Sequence, residues 1–307
     1  MRILIVGAGA TGGYYGGRLA LAGRDVTFLV RGRRAQQLER DGIRITGPSG
    51  DATLPSPRTI KAQALTATAP FDVVLLSTKA YSLADAMDDI APAVGPNTVV
   101  LPILNGMRHL DTLIDHFGRE RVMGGSVRIV SDMDNDGVIH QMTPLNHLNF
   151  GELDGRTTPR AEALRDILTV PGVTLTLSPD IIDTMWQKWW FLATMGAVGV
   201  LGGGTVGEIV ASGPHGADMA RAIQREAIAI AAANGYAADA GFAATNEQRM
   251  TQPGSTLTSS MYRDMTKGLP VEADHILGDL LARSNGTPAP LLAAAYTHLK
   301  VYEGRRA

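Results

Sequence analysis

The sequence predicts an α/β chain: a doubly wound parallel sheet of Rossmann type in the first half and an all-helical second half. Three observations predict it. Ile3 to Val6 is a short, wholly apolar run, and a glycine-rich turn and a helical stretch follow it at once. Short apolar runs then alternate with longer periodic segments as far as Leu177. Beyond Ser178 the strand patterns cease, and helical spacing continues to Glu303.

The elements follow in order. A strand buried on both faces reads as a continuous apolar run, as Ile3 to Val6 does. The helix after it extends through Ala22 and is closed by Gly23. Asp25 to Val30 is a second strand. Arg44-Ile45-Thr46 and Ala52-Thr53-Leu54 flank Gly47-Pro48-Ser49-Gly50, the composition of a surface hairpin. Asp72 to Leu76 and Thr98 to Leu101 are further buried strands, and Pro171 to Leu177 is the last one. Ser178-Pro179 then reads as an N-cap with proline at the first helical position. Helices are expected over 180–199, 215–234, 242–252, 255–267, 271–284 and 288–303, with Asn285-Gly286 as a stop. The boundary falls near Ser178, which divides the chain into a dinucleotide-binding domain, 1–177, and a helical substrate and catalytic domain, 178–307.

Composition excludes several function classes. Of the 307 residues 45% are hydrophobic and 19% charged, enough apolar material for a sizeable core. A net charge of −2 provides no basic field for nucleic acid and no polybasic patch for a membrane surface. The absence of cysteine rules out disulfides, a thiolate nucleophile and zinc–cysteine sites, and suits a reducing cytoplasm, the expected location. The opening apolar run is too short for a signal peptide, and no run of apolar residues is long enough to span a membrane. No metal-ligand spacing of the H-E-x-x-H kind and no G-x-S-x-G elbow occurs, so no metal site is expected.

Gly7-Ala8-Gly9-Ala10-Thr11-Gly12 is a G-x-G-x-x-G placed between a strand and a helix, the context that gives the motif its meaning. Gly7 permits the tight turn, Gly9 lets backbone approach a pyrophosphate, and Gly12 lets helix and strand pack closely. The helix N-terminus offers its free amides to phosphate. The end of the second strand selects the dinucleotide. NAD-binding folds place a carboxylate there for the ribose 2′-hydroxyl, whereas this chain has Arg31-Gly32-Arg33-Arg34. Guanidinium forks match a 2′-phosphate, so NADP is expected, with Arg31 as its reader. The plainer alternative is a solvated basic loop, but cations at a helix N-terminus are unfavourable, so the cluster should have a partner.

Five short signatures then occur in sequence: Gly7 to Gly12 with Arg31; Ser77-Thr78-Lys79-Ala80; Leu104-Asn105-Gly106-Met107; Trp186-Gln187-Lys188; and Ser259-Ser260-Met261-Tyr262-Arg263-Asp264 followed by Glu272. In order and spacing the chain resembles the ketopantoate reductases over nearly its whole length. The resemblance implies a Rossmann-type domain followed by an all-α domain like the C-terminal domain of 6-phosphogluconate dehydrogenase. It also implies NADP-dependent reduction of 2-dehydropantoate, a step of pantothenate biosynthesis. It makes Lys188 the proton donor to the forming alkoxide, and Glu272 an acid that contacts the cofactor and orders the site. Lys79 and Asn105 would line the nicotinamide end, Asn105 and Ser260 would contact substrate, and Val130 would touch the cofactor through its backbone.

Elementary chemistry agrees with the role of Lys188. Hydride addition to a ketone creates negative charge on oxygen, and a cation placed there stabilises that charge and can supply the proton. Trp186, Trp189 and Trp190 surround the lysine in sequence and could desolvate it. Against this stands a surface lysine whose stem lies on tryptophan faces. Asn105 before Gly106 could serve only a turn, Glu272 only a helix dipole, and Ser259 and Ser260 only hydrogen bonds back to the chain. Met185, Met195, Met250, Met261 and Met265 read as core fillers, and His275 as a surface residue.

The chain departs from the family at one place. Ketopantoate reductases follow the lysine with asparagines four and eight residues later, on one helix face, and carry another three residues before the matched serine. Here these positions are Leu192, Gly196 and Leu257. The expected substrate is therefore a small 2-keto acid, either 2-dehydropantoate or a relative with a more apolar tail. A related hydroxyacid or imine dehydrogenase, and an NADP sensor without turnover, remain alternatives. A homodimer is expected by fold analogy alone.

Overall fold

The computed structural model describes residues 1–306. The chain forms two compact units, one of Met1–Leu104 with His109–Thr184, the other of Asn105–Arg108 with the residues from Met185 onward.

The first unit holds two sheets with a helix between them. Strands β1 (Arg2–Val6), β2 (Asp25–Leu29), β5 (Thr59–Ile60), β6 (Phe71–Leu76) and β7 (Val94–Pro102) form a parallel sheet in the order β5-β2-β1-β6-β7. Their apolar runs lie at its centre, where Ile3, Leu4, Ile5, Val74, Leu75 and Leu76 are fully buried. The chain leaves β1 on one side and returns to pair β6 on the other. The carboxyl ends of β1 and β6 are thus a topological switch point, where open α/β sheets bind ligands. The helices of this unit are α1 (Ala10–Leu21), α2 (Gly32–Asp41), the single turn α3 (Ala62–Leu65), α4 (Leu83–Ile90), α5 (Arg108–Phe117) and α6 (Pro159–Leu168).

The second sheet is built on a long strand, β9 (Val138–Gly151). β8 (Gly124–Met133) pairs antiparallel along one edge of β9. The other edge is shared in parallel by β3 (Ile43–Thr46) near its start and β10 (Thr174–Leu177) near its end, and β4 (Ala52–Leu54) extends β3 through the expected hairpin. The β8–β9 pair was not expected from the sequence. Its inner face is partly polar: Asn146 is buried and donates to the Gly172 carbonyl at 2.9 Å and to Ser49 Oγ at 2.8 Å, and it accepts from Thr174. Tyr14 Oη of α1 donates to the same Gly172 carbonyl at 2.7 Å. These partners make the buried polar groups tolerable and erase the apolar alternation that marks a strand.

Helix α1 packs on both sheets through glycines. A Cβ on Gly16 would lie 2.6 Å from Phe28 and 2.8 Å from Ile5, in the parallel sheet. One on Gly13 would lie 2.6 Å from Ile139, and one on Gly17 3.1 Å from Ile45 and 3.2 Å from Ile43, all in the second sheet. Side chains there would separate the layers.

The second unit is helical, as expected, with α7 (Ile181–Gly202, entering from the first unit), α8 (Val206–Ala211), α9 (Pro214–Ala233), α10 (Ala240–Met250), α11 (Ser260–Thr266), α12 (Asp279–Ala282) and α13 (Pro290–Gly304). Trp186, Trp189 and Trp190 of α7 are buried; the Trp189 indole donates to the Ile276 carbonyl at 3.0 Å, and Trp186 stacks on Tyr236. Three expectations need correction. The short α8 was missed, although Thr205 and Glu208 form a capping box at its start. The helix expected over 255–267 begins only at Ser260, where Ser259 caps it by accepting from the Tyr262 amide. The helix expected over 271–284 contains a π-helical turn, Asp274–Gly278, before α12. Among the described residues no helix is long and apolar enough to cross a membrane.

Candidate active site

The glycine turn sits at the carboxyl end of β1. Gly7 has φ +97, and a Cβ there would stand 2.8 Å from the Ser77 carbonyl oxygen, so both the conformation and the space require glycine. Gly12 has no room either, since its Cβ would lie 2.1 Å from the Gly7 oxygen. Gly9 is different: a Cβ there would meet nothing within 4 Å. The turn is therefore open where a ligand's phosphates would approach and closed where helix meets strand. Gly9 is also the N-cap of α1, no side chain caps that end, and Ala10 and Thr11 open the helix, while Ala8 is buried with its carbonyl held by Arg34. These features fit a pyrophosphate.

The arginine cluster has partners. Arg31, the N-cap residue of α2, hydrogen-bonds the Asp89 carboxylate of α4 through Nη2, and its Nη1 lies 4.0 Å from Asp85 Oδ2. Arg34 points the other way. Its Nε donates to the Ala8 carbonyl at 2.7 Å and its Nη1 to the Gly137 carbonyl at 3.2 Å, tying the glycine turn to the β8–β9 turn. Burial, together with the charge of Arg44, lowers the pKa of Arg34. Lys79 is exposed at the start of a single 3₁₀ turn that follows β6. Val130 is exposed in β8 where the pairing with β9 slips, so the ladder skips it.

In the second unit Lys188 and Glu272 are both buried, at 8% and 7% exposed, so Lys188 is no surface lysine. Glu272 immediately precedes the π-helical turn, and its carbonyl accepts from the Ile276 amide at 3.0 Å. The Trp189–Ile276 hydrogen bond fastens this segment to α7, one residue from Lys188. Asn105 is half-buried, and the Gly106 that follows has φ +82; a Cβ there would lie 2.5 Å from the His275 carbonyl oxygen. The Asn105-Gly106 turn, the Glu272 segment and α7 therefore come together. His275 is half-buried rather than superficial. Burial lowers its pKa, helped by the charge of Arg108, while Glu272, Asp274 and Asp279 oppose the shift.

Ser260 begins α11, and the next residue, Met261, is buried. The Met261 methyl fills the space beside Gly196: a Cβ on Gly196 would lie 2.5 Å from Met261 Cε. Leu192 and Leu257 are half-buried. Asp85, Asp89 and the anchoring of Arg34 to the Ala8 and Gly137 carbonyls escaped sequence reasoning. The only signal was the arginine cluster's need for a partner, and the carboxylates that meet it lie 54 and 58 residues away in sequence.

A glycine turn that fits a pyrophosphate at the switch point of a parallel sheet, followed by a helical unit with a buried lysine and glutamate, is the build of a nicotinamide-dependent oxidoreductase. The family model described as ketopantoate reductase PanE/ApbA matches residues 3–155, and the one for its C-terminal domain matches residues 180–303. The chain belongs to the ketopantoate reductase family. It is 35% identical to the uncharacterized oxidoreductase YkpB of Bacillus subtilis (strain 168), with all of each chain covered. It is also similar to the crystal structure of 2-dehydropantoate 2-reductase from Geobacter metallireducens GS-15, with a TM-score of 0.89, 29% identity, and 98% and 99% of the two chains covered. D-mandelate dehydrogenase, solved with NADH and anilino(oxo)acetate, shares the fold at a TM-score of 0.88 and 21% identity, over 100% of this chain and 99% of that one.

Proposed function

We propose that the chain is an NADP-preferring reductase that converts the carbonyl of a 2-keto acid, 2-dehydropantoate or a relative with a more apolar tail, to the hydroxy acid. The observation that carries the reading is the burial of Lys188 on α7 beside the segment that holds Glu272. A reduced nicotinamide, when bound, supplies the hydride. The turn Gly7 to Gly12 binds pyrophosphate, Arg31 reads the 2′-phosphate, and Lys79, Asn105 and the Val130 backbone position the nicotinamide end. Lys188 holds a proton at Nζ and delivers it to the carbonyl oxygen as negative charge develops there. Glu272 orients the lysine and the cofactor, and Ser260 takes the substrate carboxylate.

The preference for an apolar tail is supported by Leu192 and Leu257, and by the Met261 methyl that occupies the place of a side chain at residue 196. A fold that also carries D-mandelate dehydrogenase accommodates an acid bearing an aromatic ring. A panel of 2-keto acids followed by NADPH absorbance tests the reading. Branched or aromatic keto acids should turn over at least as well as ketopantoate, and a clear preference for ketopantoate would remove the apolar tail. Lys188→Ala should lower kcat by about two orders of magnitude or more with unchanged NADPH affinity. NADPH binding without turnover of any keto acid would leave a nucleotide sensor.

A further inference from the structure

We infer that Asp89, assisted by Asp85, competes with the nucleotide 2′-phosphate for the Arg31 guanidinium and thereby sets how strongly the chain favours NADPH over NADH. The inference rests on Arg31 as the 2′-phosphate reader proposed above. A forked contact with phosphate uses parallel N–H donors of one guanidinium. Both terminal nitrogens of Arg31 already face α4. Nη2 bonds the Asp89 carboxylate and lies 3.4 Å from the Asp85 carbonyl oxygen, while Nη1 lies 4.0 Å from Asp85 Oδ2. Asp85 and Asp89 are four residues apart on one face of α4, so the helix presents two carboxylates to a single cation.

The two carboxylates are not equal. The Asp89 side chain is 23% exposed and that of Asp85 is 76% exposed, so Asp89 is the better desolvated and the stronger competitor. A phosphate brought to Arg31 must loosen the Asp89 pair and then bear the repulsion of both carboxylates. A ribose 2′-hydroxyl carries no charge and meets no such opposition; a nearby carboxylate can even accept from it. Removing the Asp89 charge should therefore strengthen binding of the 2′-phosphorylated nucleotide and leave the other nearly unchanged.

Calorimetric titration with adenosine 2′,5′-bisphosphate and adenosine 5′-monophosphate isolates the 2′-phosphate. Asp89→Asn should tighten the bisphosphate about fivefold at low ionic strength, equivalent to about 1 kcal/mol, with the monophosphate within about twofold of wild type. Asp85→Asn should act in the same direction but less. Arg31→Ala should weaken the bisphosphate by about tenfold or more. If Arg31→Ala loses the bisphosphate while Asp89→Asn binds it no better than wild type, the competition is overturned and the reader stands. If Arg31→Ala binds both nucleotides as wild type does, reader and competitor fall together.

Discussion

Gly9 and Gly12 lie three residues apart in one motif, yet the structure assigns them opposite sensitivities. Gly9→Ala places a methyl where no protein atom lies within 4 Å, and the backbone at φ −82, ψ −159 suits any residue. Alanine is the poorer N-cap, but it also restricts the unfolded chain, so the net change in stability should stay below about 1 kcal/mol. The same methyl projects into the space from which a pyrophosphate would reach the turn. Loss of one charge-assisted hydrogen bond costs about 1.5–3 kcal/mol, a roughly ten- to hundredfold rise in Kd for NADPH. Gly12→Ala is the contrasting control. Its Cβ would stand 2.1 Å from the Gly7 oxygen and 2.9 Å from the Ser77 Cβ, overpacking that costs about 1–3 kcal/mol or more and should lower Tm by several degrees. Thermal melts and NADPH fluorescence titrations of both variants give the comparison. Wild-type affinity in Gly9→Ala would refute the reasoning, as would a loss of stability matching that of Gly12→Ala.

Two further outcomes follow from the helical unit. Gly196→Asn should destabilise by forcing Met261 aside, and adding Met261→Ala should recover much of that loss, with a coupling of about 1 kcal/mol in a double-mutant cycle of melts; additive effects would show that Met261 does not hold the space. Burial holds the pKa of His275 in the folded chain below the ordinary histidine value, so the unfolded chain binds the proton more readily and stability falls as pH drops through about 6.5. His275→Gln should flatten that part of the Tm-against-pH curve between about pH 7 and pH 5, and an unaltered slope would place the acid sensitivity elsewhere.

The parallel sheet and its turn were legible because their determinants are local. Ile3 to Val6 is apolar along its length, and Gly7 and Gly12 each answer to a close neighbour that the strand–turn–helix context already implies. The β8–β9 pair was not legible, because β9 carries Gln141 and Asn146 in a layer whose polar groups are satisfied by Tyr14, Ser49 and Gly172, distant in sequence. Lys188 was singled out by the family resemblance, the tryptophans around it leaving a surface lysine open, and it is buried. The carboxylates facing Arg31 could not be found, since nothing in the local pattern of α4 distinguishes Asp85 and Asp89 from solvated helix acids. The π-helical turn after Glu272 was hidden for a related reason: an extra residue in one turn leaves the apolar spacing close to that of an ordinary helix.

The helix that begins at the glycine turn is held by layers on two adjacent sides, with bare backbone at each line of approach. It cannot roll or slide without displacing Phe28 and Ile5 in one layer or Ile139 and Ile43 in the other. The amides at its start are thus fixed in direction before any nucleotide arrives. An incoming dinucleotide need not order its own receptor, and more of its intrinsic attraction survives as affinity.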